Sequence, residues 1–268
     1  MDGSRSTLIQ HLWRLRSDLS RPQQDISVAA QLASRDASLF GSAAEILLHA
    51  VGLVAQRLHF LTWQIEMQAW LQKSSAEYDG SPNFNLDTAY GTRREVVELL
   101  LRRMERSGVE RPAVLELGVY EGELAFHLLR AFPNMSYVGV DAYFNDEFAP
   151  GSPQNQLFEL VHQHVAKRME DYQDRAILLK LSSEEALKIV PKGAFDLIFI
   201  DADHRYQHVK HDLEHWSEKV RPQGILAGHD FSPEWPGPVQ AVFELRKSKP
   251  VNLGMSSVFY WYVGVDDD

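Results

Sequence analysis

The sequence predicts an α/β protein in which a doubly wound, mostly parallel sheet of seven strands follows an N-terminal helical extension. Two observations support this fold class. From residue 112 onward, short apolar runs alternate with amphipathic segments of helical period, whereas the first 80 residues show helical periods alone. Apolar strands separated by helices are typical of a parallel sheet that helices cover on both faces. We therefore expect a helical extension over residues 1–80 and the sheet domain over residues 81–268.

The extension contains one long apolar helical pattern. Ser42 and Glu45 form a capping-box signature at its start. Behind them apolar residues recur at steps of four and three, in the order Leu47, Val51, Val54, Leu58, Leu61 and Ile65. We expect this helix to pack on its own domain, with a homodimer contact or a lid over a substrate as the alternatives. Polar and charged residues interrupt its most apolar stretch, residues 43–71, so we expect no membrane span.

Composition excludes several classes of function. The 268 residues carry a formal net charge of −10, which argues against binding to nucleic acid or to anionic membranes, since both would repel the protein. The chain contains no cysteine, which excludes disulfides, thiol catalysis and cysteine-ligated zinc. This composition agrees with a reducing cytoplasm, where we expect the protein.

The second part of the chain supplies the sheet. Apolar runs predict parallel strands over residues 113–117, 137–140, 176–179, 197–200 and 224–227. Amphipathic segments predict helices between them, over residues 124–132, 157–169, 184–190 and 206–220. A helix-like segment at 239–245 and a β-rich run at 256–263 then predict a last strand added as a hairpin edge. The polar, turn-rich residues 74–91 are predicted to be a connection.

Candidate binding residues lie at the strand ends, because open parallel sheets bind ligands at the carboxyl ends of their strands. The first strand ends in Glu116, Gly118, Tyr120 and Gly122. Glycine lets the backbone approach a ligand and turn sharply into a helix. The second strand ends at Asp141, 23 residues after Gly118, and an acid at that distance suits the hydroxyls of a ribose.

The glycine turn departs from the dinucleotide pattern G-x-G-x-x-G. Tyr120 stands at the second glycine and Glu123 at the third, and Glu121 and Glu123 would repel a diphosphate. A cationic nucleoside without phosphate suits this turn better. The pattern therefore indicates S-adenosylmethionine, whose sulfonium is positively charged.

Several motifs in order resemble the class I S-adenosylmethionine-dependent methyltransferases, over residues 92–264. They are "ELGVYEG", "YVGVDAY", "LSSEEAL", "FDLIFIDADHRY" and "RPQGILAGHDF". The resemblance implies a Rossmann-like methyltransferase fold. It also implies that Glu116 and the glycine turn hold the methionine part, that Asp141 holds the ribose, and that Ser183 and Glu184 contact the adenine.

The fourth and fifth strand ends bring acids and histidines together, namely Asp201, Asp203, His204, His229 and Asp230. The stretch "DADH" is similar to the metal-binding strand end of the catechol and caffeoyl-CoA O-methyltransferases. That resemblance implies that Asp201 and Asp230 hold Mg²⁺ or another divalent cation and that His204, where the group often has a lysine, is a general base. Those enzymes follow the second aspartate with an asparagine ligand, whereas Phe231 follows it here. His229 or Asp203 would then complete the metal site.

We therefore predict methyl transfer from S-adenosylmethionine to an oxygen of a small-molecule acceptor, with Asp201 serving the cofactor and catalysis as well as the metal. The paired "DADH" and "GHDF" stretches look closer to the broader group that methylates small metabolites and sugars. Trp235, in a proline-rich segment after the fifth strand, is a candidate for the acceptor pocket. The alternatives are a NAD-dependent oxidoreductase and a non-catalytic module of the same fold that binds a partner through its helical extension.

Overall fold

The computed structural model describes residues 26–27, 40–87 and 91–265. The chain divides into two compact units, Met1–Leu71 and Gln72–Asp268, and each is described by itself. The predicted capping box at Ser42 involves a side chain outside the described residues.

The first unit contains most of a 35-residue helix, α1, Phe40–Ser74. Several of its apolar side chains are exposed, with 73% of Leu48 and 65% of Ile65 accessible to solvent. Among the described residues, its segment Ala44–Ser74 is the one helix long and apolar enough to cross a membrane, by length and composition only. Core helices and signal sequences meet the same criterion. A core helix is mostly buried, whereas only 11% of the most apolar window of this helix is buried. The polar and charged residues that interrupt this segment were expected to rule out a membrane span, but they are too few for the helix to fail the criterion.

The second unit contains the sheet and its helices. Its strands are β1 Asn83–Leu86, β2 Ala113–Leu117, β3 Ser136–Val140, β4 Ala176–Leu179, β5 Phe195–Ile200, β6 Val220–Gly228, β7 Pro250–Leu253 and β8 Phe259–Tyr262. Its helices are α2 Arg93–Arg106, α3 Glu123–Ala131, α4 Pro153–Met169, α5 Ser183–Ile189, α6 Tyr206–Trp216 and α7 Pro236–Arg246. Short 3₁₀ turns follow α4 and α6, at Glu170–Tyr172 and Ser217–Lys219.

The eight strands lie in the order β1-β7-β8-β6-β5-β2-β3-β4. Strands β4, β3, β2, β5 and β6 are parallel, and β8 runs antiparallel to β6 and to β7. The doubly wound, mostly parallel fold is confirmed. The predicted antiparallel last strand is present, but it lies between β6 and β7 instead of at an edge.

The eighth strand, β1, comes from the segment that was predicted to be a connection. It pairs in parallel with β7, and the ring of Phe84 packs 5.5 Å from Phe231 and 5.2 Å from Phe243. Two of its four residues are asparagine, which is depleted in strands, so local propensity conceals it. Packing of the Phe84 ring and pairing with β7 overcome that weak propensity.

The core surrounds the central strands β2 and β5. All six residues of β5 are buried, and α2 and α3 pack against the sheet with fully buried side chains such as Leu100 and Leu129. Each such side chain contributes about 1.5–3 kcal/mol of burial free energy. The chain reverses direction across the sheet between β2 and β5, and crevices for ligands form at such a point.

Candidate active site

A cleft of about 1230 Å³ opens at the carboxyl ends of β2, β3 and β5. Six of the eight predicted cofactor residues line it: Gly118, Tyr120, Asp141, Ser183, Glu184 and Asp201. His204 and Trp235 line it too. Glu116 and Gly122 are not among its lining residues.

The glycine turn after β2 has a steric cause. Gly118 has a φ of +84°, and a Cβ at this position would overlap the backbone oxygen of Asp201. Its N–H donates to the Val140 carbonyl at 2.9 Å, which joins the ends of β2 and β3. Gly122, with a φ of +74°, begins α3, and a Cβ there would overlap the ring of Phe126. Close packing of strand and helix therefore requires both glycines, and Gly118 also leaves backbone open to the cleft.

The carboxylate of Asp141 is held by two backbone amides. The N–H of Tyr120 donates to one oxygen at 2.8 Å, and the N–H of Tyr143 donates to the other at 2.7 Å. The hydroxyl of Tyr143 donates to the Tyr120 carbonyl at 3.0 Å, which closes the loop. Each carboxylate oxygen retains a lone pair, so Asp141 can still accept hydrogen bonds from vicinal hydroxyls.

Glu116 lies beneath the cleft. Its carboxyl is 2% exposed and accepts a hydrogen bond of 2.5 Å from the hydroxyl of Tyr137. Burial raises the pKa of Glu116 to about 8. The carboxyl is therefore mostly protonated at neutral pH.

The residues predicted to contact adenine begin α5. Ser182 caps this helix, and its N–H donates to Glu185 at 2.9 Å. The hydroxyl of Ser183 donates to Asp212 and accepts a hydrogen bond of 2.7 Å from the indole N–H of Trp216. Ser183 is thus fixed within the protein. Asp212, which the sequence analysis missed, lies beside it in the cleft wall.

An acid–histidine cluster lies at the ends of β5 and β6, as predicted. The Nδ1 of His229 is 3.5 Å from Asp201 and 3.0 Å from Asp230. Burial alone would lower the pKa of His229, but hydrogen bonds with these two carboxylates raise it to about 9. His229 therefore carries a proton at neutral pH.

His204 is held between an acid and an aromatic ring. Its Nε2 lies 2.5 Å from Asp230, and its ring stacks on Trp235 with centroids 4.2 Å apart. The hydrogen bond with Asp230 raises the pKa of His204 against the effect of burial. The same cluster lowers the pKa of Asp230, since the hydrogen bonds from His204 and His229 outweigh the burial that would raise it.

Arg93 is not among the site residues that the sequence predicts. It is the first residue of α2, and its guanidinium donates to Asp201. The capping box of Thr92, whose N–H donates to Glu95 at 2.7 Å, marks where α2 begins. The capping box can be read from the sequence and locates the start of α2. It does not show which strand end the side chain of Arg93 faces.

The predicted metal ligands Asp201, His229 and Asp230 lie together, with donor atoms within 4.8 Å of one another. Three of their four carboxylate oxygens, however, already face a cationic nitrogen from Arg93 or His229, and the fourth, on Asp230, pairs with Nε2 of His204. A protonated imidazole cannot ligate a metal. The compact cluster therefore does not fit a divalent cation, because its negative charge is already balanced.

Asp203, the other residue proposed to complete the metal site, is not part of this cluster. The carboxylate of Asp203 binds the guanidinium of Arg205, with 2.8 Å to its Nε. Phe231 is 1% exposed and packs among Phe84, Phe243 and Phe259. The departure from an asparagine ligand therefore serves the hydrophobic core.

The charge of the cleft favours cationic ligands over anionic ones. Its lining contains nine carboxylates, namely Glu121, Glu123, Asp141, Asp146, Glu147, Glu184, Asp201, Asp203 and Asp212, against two arginines, Arg93 and Arg205. Such a wall attracts cations and repels a diphosphate. A nucleoside with a positive sulfonium fits it, and a dinucleotide does not.

Comparison with known proteins agrees with this geometry. Residues 115–231 match the model of a family described as a methyltransferase domain. That range begins in β2 and ends at Phe231, so it contains the glycine turn, Asp141 and the acid–histidine cluster. No curated protein matches the sequence.

Solved structures resemble the chain at low identity. The TDP-rhamnose 3′-O-methyltransferase CalS11, an enzyme in calicheamicin biosynthesis, is 21% identical over 64% of this chain and 81% of its own, with a TM-score of 0.44. A protein provisionally named a caffeoyl-CoA O-methyltransferase, from Staphylococcus aureus, is 15% identical over 62% and 82%, with a TM-score of 0.45. A protein provisionally named a sarcosine dimethylglycine methyltransferase, from Galdieria sulphuraria, is 18% identical over 52% of this chain, with a TM-score of 0.36. The present chain spans about half, 48%, of the length of that protein. These scores are too low to carry an argument about function.

Proposed function

We propose that the chain transfers a methyl group from S-adenosylmethionine to a hydroxyl oxygen of a small-molecule acceptor, because residues 115–231 match the model of a methyltransferase domain. The observation that carries the proposal is the His204–Asp230 pair, 2.5 Å apart in the wall of the cleft that Asp141 also lines. A hydroxyl must lose its proton as the methyl group arrives, and a histidine oriented by a carboxylate can accept that proton.

The cofactor, when bound, supplies a methyl group on a positive sulfur. Asp141 would accept hydrogen bonds from its ribose hydroxyls, and the open backbone at Gly118 would admit its methionine part. The acidic wall would attract its charge. The chain's part in rate enhancement is then to hold donor and acceptor in line within the cleft.

His204 would act through its second ring nitrogen. Asp230 accepts the hydrogen bond of Nε2, which leaves Nδ1 as the basic atom. Nδ1 of His204 would accept the hydroxyl proton while the acceptor oxygen takes the methyl group that the cofactor would supply, and the cofactor would leave as the neutral thioether S-adenosylhomocysteine. Asp230 stabilises the resulting imidazolium, and Trp235, 43% exposed, offers an aromatic surface beside it for the acceptor. No metal ion takes part in this proposal.

A panel of hydroxylated small molecules tests the assignment, with release of S-adenosylhomocysteine as the readout. The variant His204→Gln should lower turnover of an accepted substrate by about 10²–10⁴-fold, as expected for loss of a general base. His215→Gln is the matched control, because His215 lies on α6 and is not among the residues lining the cleft. Turnover that survives in His204→Gln would exclude the base role. Oxidation or reduction with NAD(H) would favour the oxidoreductase instead.

A further inference from the structure

Arg93 is a cation whose position the proposed reaction does not explain. It lies in the cleft wall with 28% of its side chain exposed, and its guanidinium donates to Asp201. Its second terminal nitrogen is 3.6 Å from Glu123. The next residue, Arg94, pairs with Glu123 at 2.9 Å and is not among the lining residues.

The carboxylate that Arg93 binds belongs to a chain of alternating charges. From Arg93 it passes to Asp201, then to His229 and to Asp230, and Asp230 in turn pairs with Nε2 of His204. The side chains of Asp201 and Asp230 are only 8% and 15% exposed, so water screens their repulsion weakly. Two such carboxylates repel each other strongly unless cations lie beside them.

A guanidinium is well suited to neutralising a carboxylate at this position. It stays charged at every working pH, its planar donors match a carboxylate, and it is more weakly hydrated than an ammonium. A divalent cation at Asp201 would have to approach the guanidinium of Arg93, which would repel it.

We propose that Arg93 stands in for a metal ion: its guanidinium neutralises Asp201, excludes divalent cations from the Asp201–Asp230 pair, and fixes the charge chain that orients His204. The orienting role rests on the proposed function, whereas the exclusion of cations does not. Arg93 is in this sense a positioning residue. Its removal should turn the two carboxylates into a cation site.

Binding of Mn²⁺ to the full-length protein tests this inference, through the electron paramagnetic resonance signal of the free ion. The wild type should show no stoichiometric binding. Arg93→Met should bind one ion at least about tenfold more tightly, because a fixed positive charge beside the carboxylates is gone. Binding should disappear again in Arg93→Met combined with Asp230→Asn. Arg93→Lys should resemble the wild type because it keeps the charge, and Arg94→Met is the matched control.

Two outcomes would overturn the inference. One is stoichiometric Mn²⁺ binding by the wild type that Asp201→Asn abolishes, since the pair would then be a metal site. The other is an Arg93→Met protein that is folded by circular dichroism and binds no more Mn²⁺ than the wild type. Calorimetry with S-adenosylmethionine on the same samples separates this result from a failure of the proposed function.

Discussion

At the scale of single residues, two carboxyl groups at the same edge of the sheet have opposite ionisation behaviour. Burial raises the pKa of Glu116 to about 8. The pKa of Asp230 lies below its usual range, because His204 and His229 outweigh the effect of burial. Environment thus separates a neutral acid inside the core from an ionised acid that orients a base.

Glu116 makes the stability of the protein depend on pH. Its pKa is raised from 4.5 in its ordinary state to about 8, so the folded protein holds this proton more tightly than the unfolded chain. This contribution is fully present below pH 4.5 and is lost as pH rises to about 8. Glu116→Gln cannot ionise and keeps an acceptor for Tyr137. Its Tm relative to the wild type should therefore rise by roughly 5 °C or more across this window.

Thermal unfolding between pH 4 and pH 9, about half a pH unit or more beyond both pKa values, measures this difference. Groups that titrate alike in both proteins cancel, so the comparison isolates Glu116. A difference in Tm that is independent of pH would show that folding does not raise the pKa of Glu116.

At the scale of elements, the ends of β2 and β5 approach so closely that residue 118 cannot carry a side chain. Gly118→Ala combines a φ of +84° with overlap on the Asp201 backbone. Gly108→Ala is a matched control, because Gly108 has a φ of +97° and no atom within 4 Å of a Cβ placed there. We expect Gly108→Ala to lower the free energy of unfolding by about 1 kcal/mol. Gly118→Ala should cost more than about 3 kcal/mol and abolish cofactor binding.

Urea denaturation measures both losses. Equal losses in the two variants would mean that backbone conformation alone, and not the contact with β5, requires Gly118.

The elements differ in how far the sequence predicts them. The central strands were predictable because β2, β3 and β5 are mostly apolar, and their exits at Gly118, Asp141 and Asp201 follow from parallel topology. Strand β1 was not, because its pairing with β7 joins segments far apart in sequence. The contact of Arg93 with Asp201 was equally hidden, since helical periodicity describes faces of one helix and not the strand end it meets. Because Arg93 neutralises Asp201, the residues that were predicted to bind a metal form a charge-balanced cluster instead.

At the scale of the whole molecule, the two most distinctive features are an acidic cleft and a long helix with exposed apolar side chains. The net charge of −10 is thus concentrated in part around the cleft. In α1 the apolar residues at steps of four and three include Val51 and Leu58, which are 59% and 52% exposed. Exposed apolar surface of this extent marks an interaction site.

We predict that α1 forms a homodimer contact through these residues. Leu58→Asp should convert a dimer into a monomer, because a buried charge would replace an apolar contact. His59→Asp is the matched control, since His59 is the adjacent exposed residue outside the apolar pattern. Light scattering after gel filtration measures the mass. A monomeric wild type that floats with phosphatidylcholine vesicles would instead assign α1 to a membrane.

The central claim, a cleft for S-adenosylmethionine, is tested most directly by calorimetric titration of the wild type and of Asp141→Ala with this cofactor. Loss of charge-assisted hydrogen bonds to the ribose should weaken binding roughly 10- to 100-fold. Asp146→Ala is the control, because Asp146 is an acid of the same cleft that pairs with Arg205 at 3.2 Å. The account predicts micromolar binding by the wild type and by Asp146→Ala, and weakened binding by Asp141→Ala. No binding by the wild type, or equal binding by all three proteins, would contradict it.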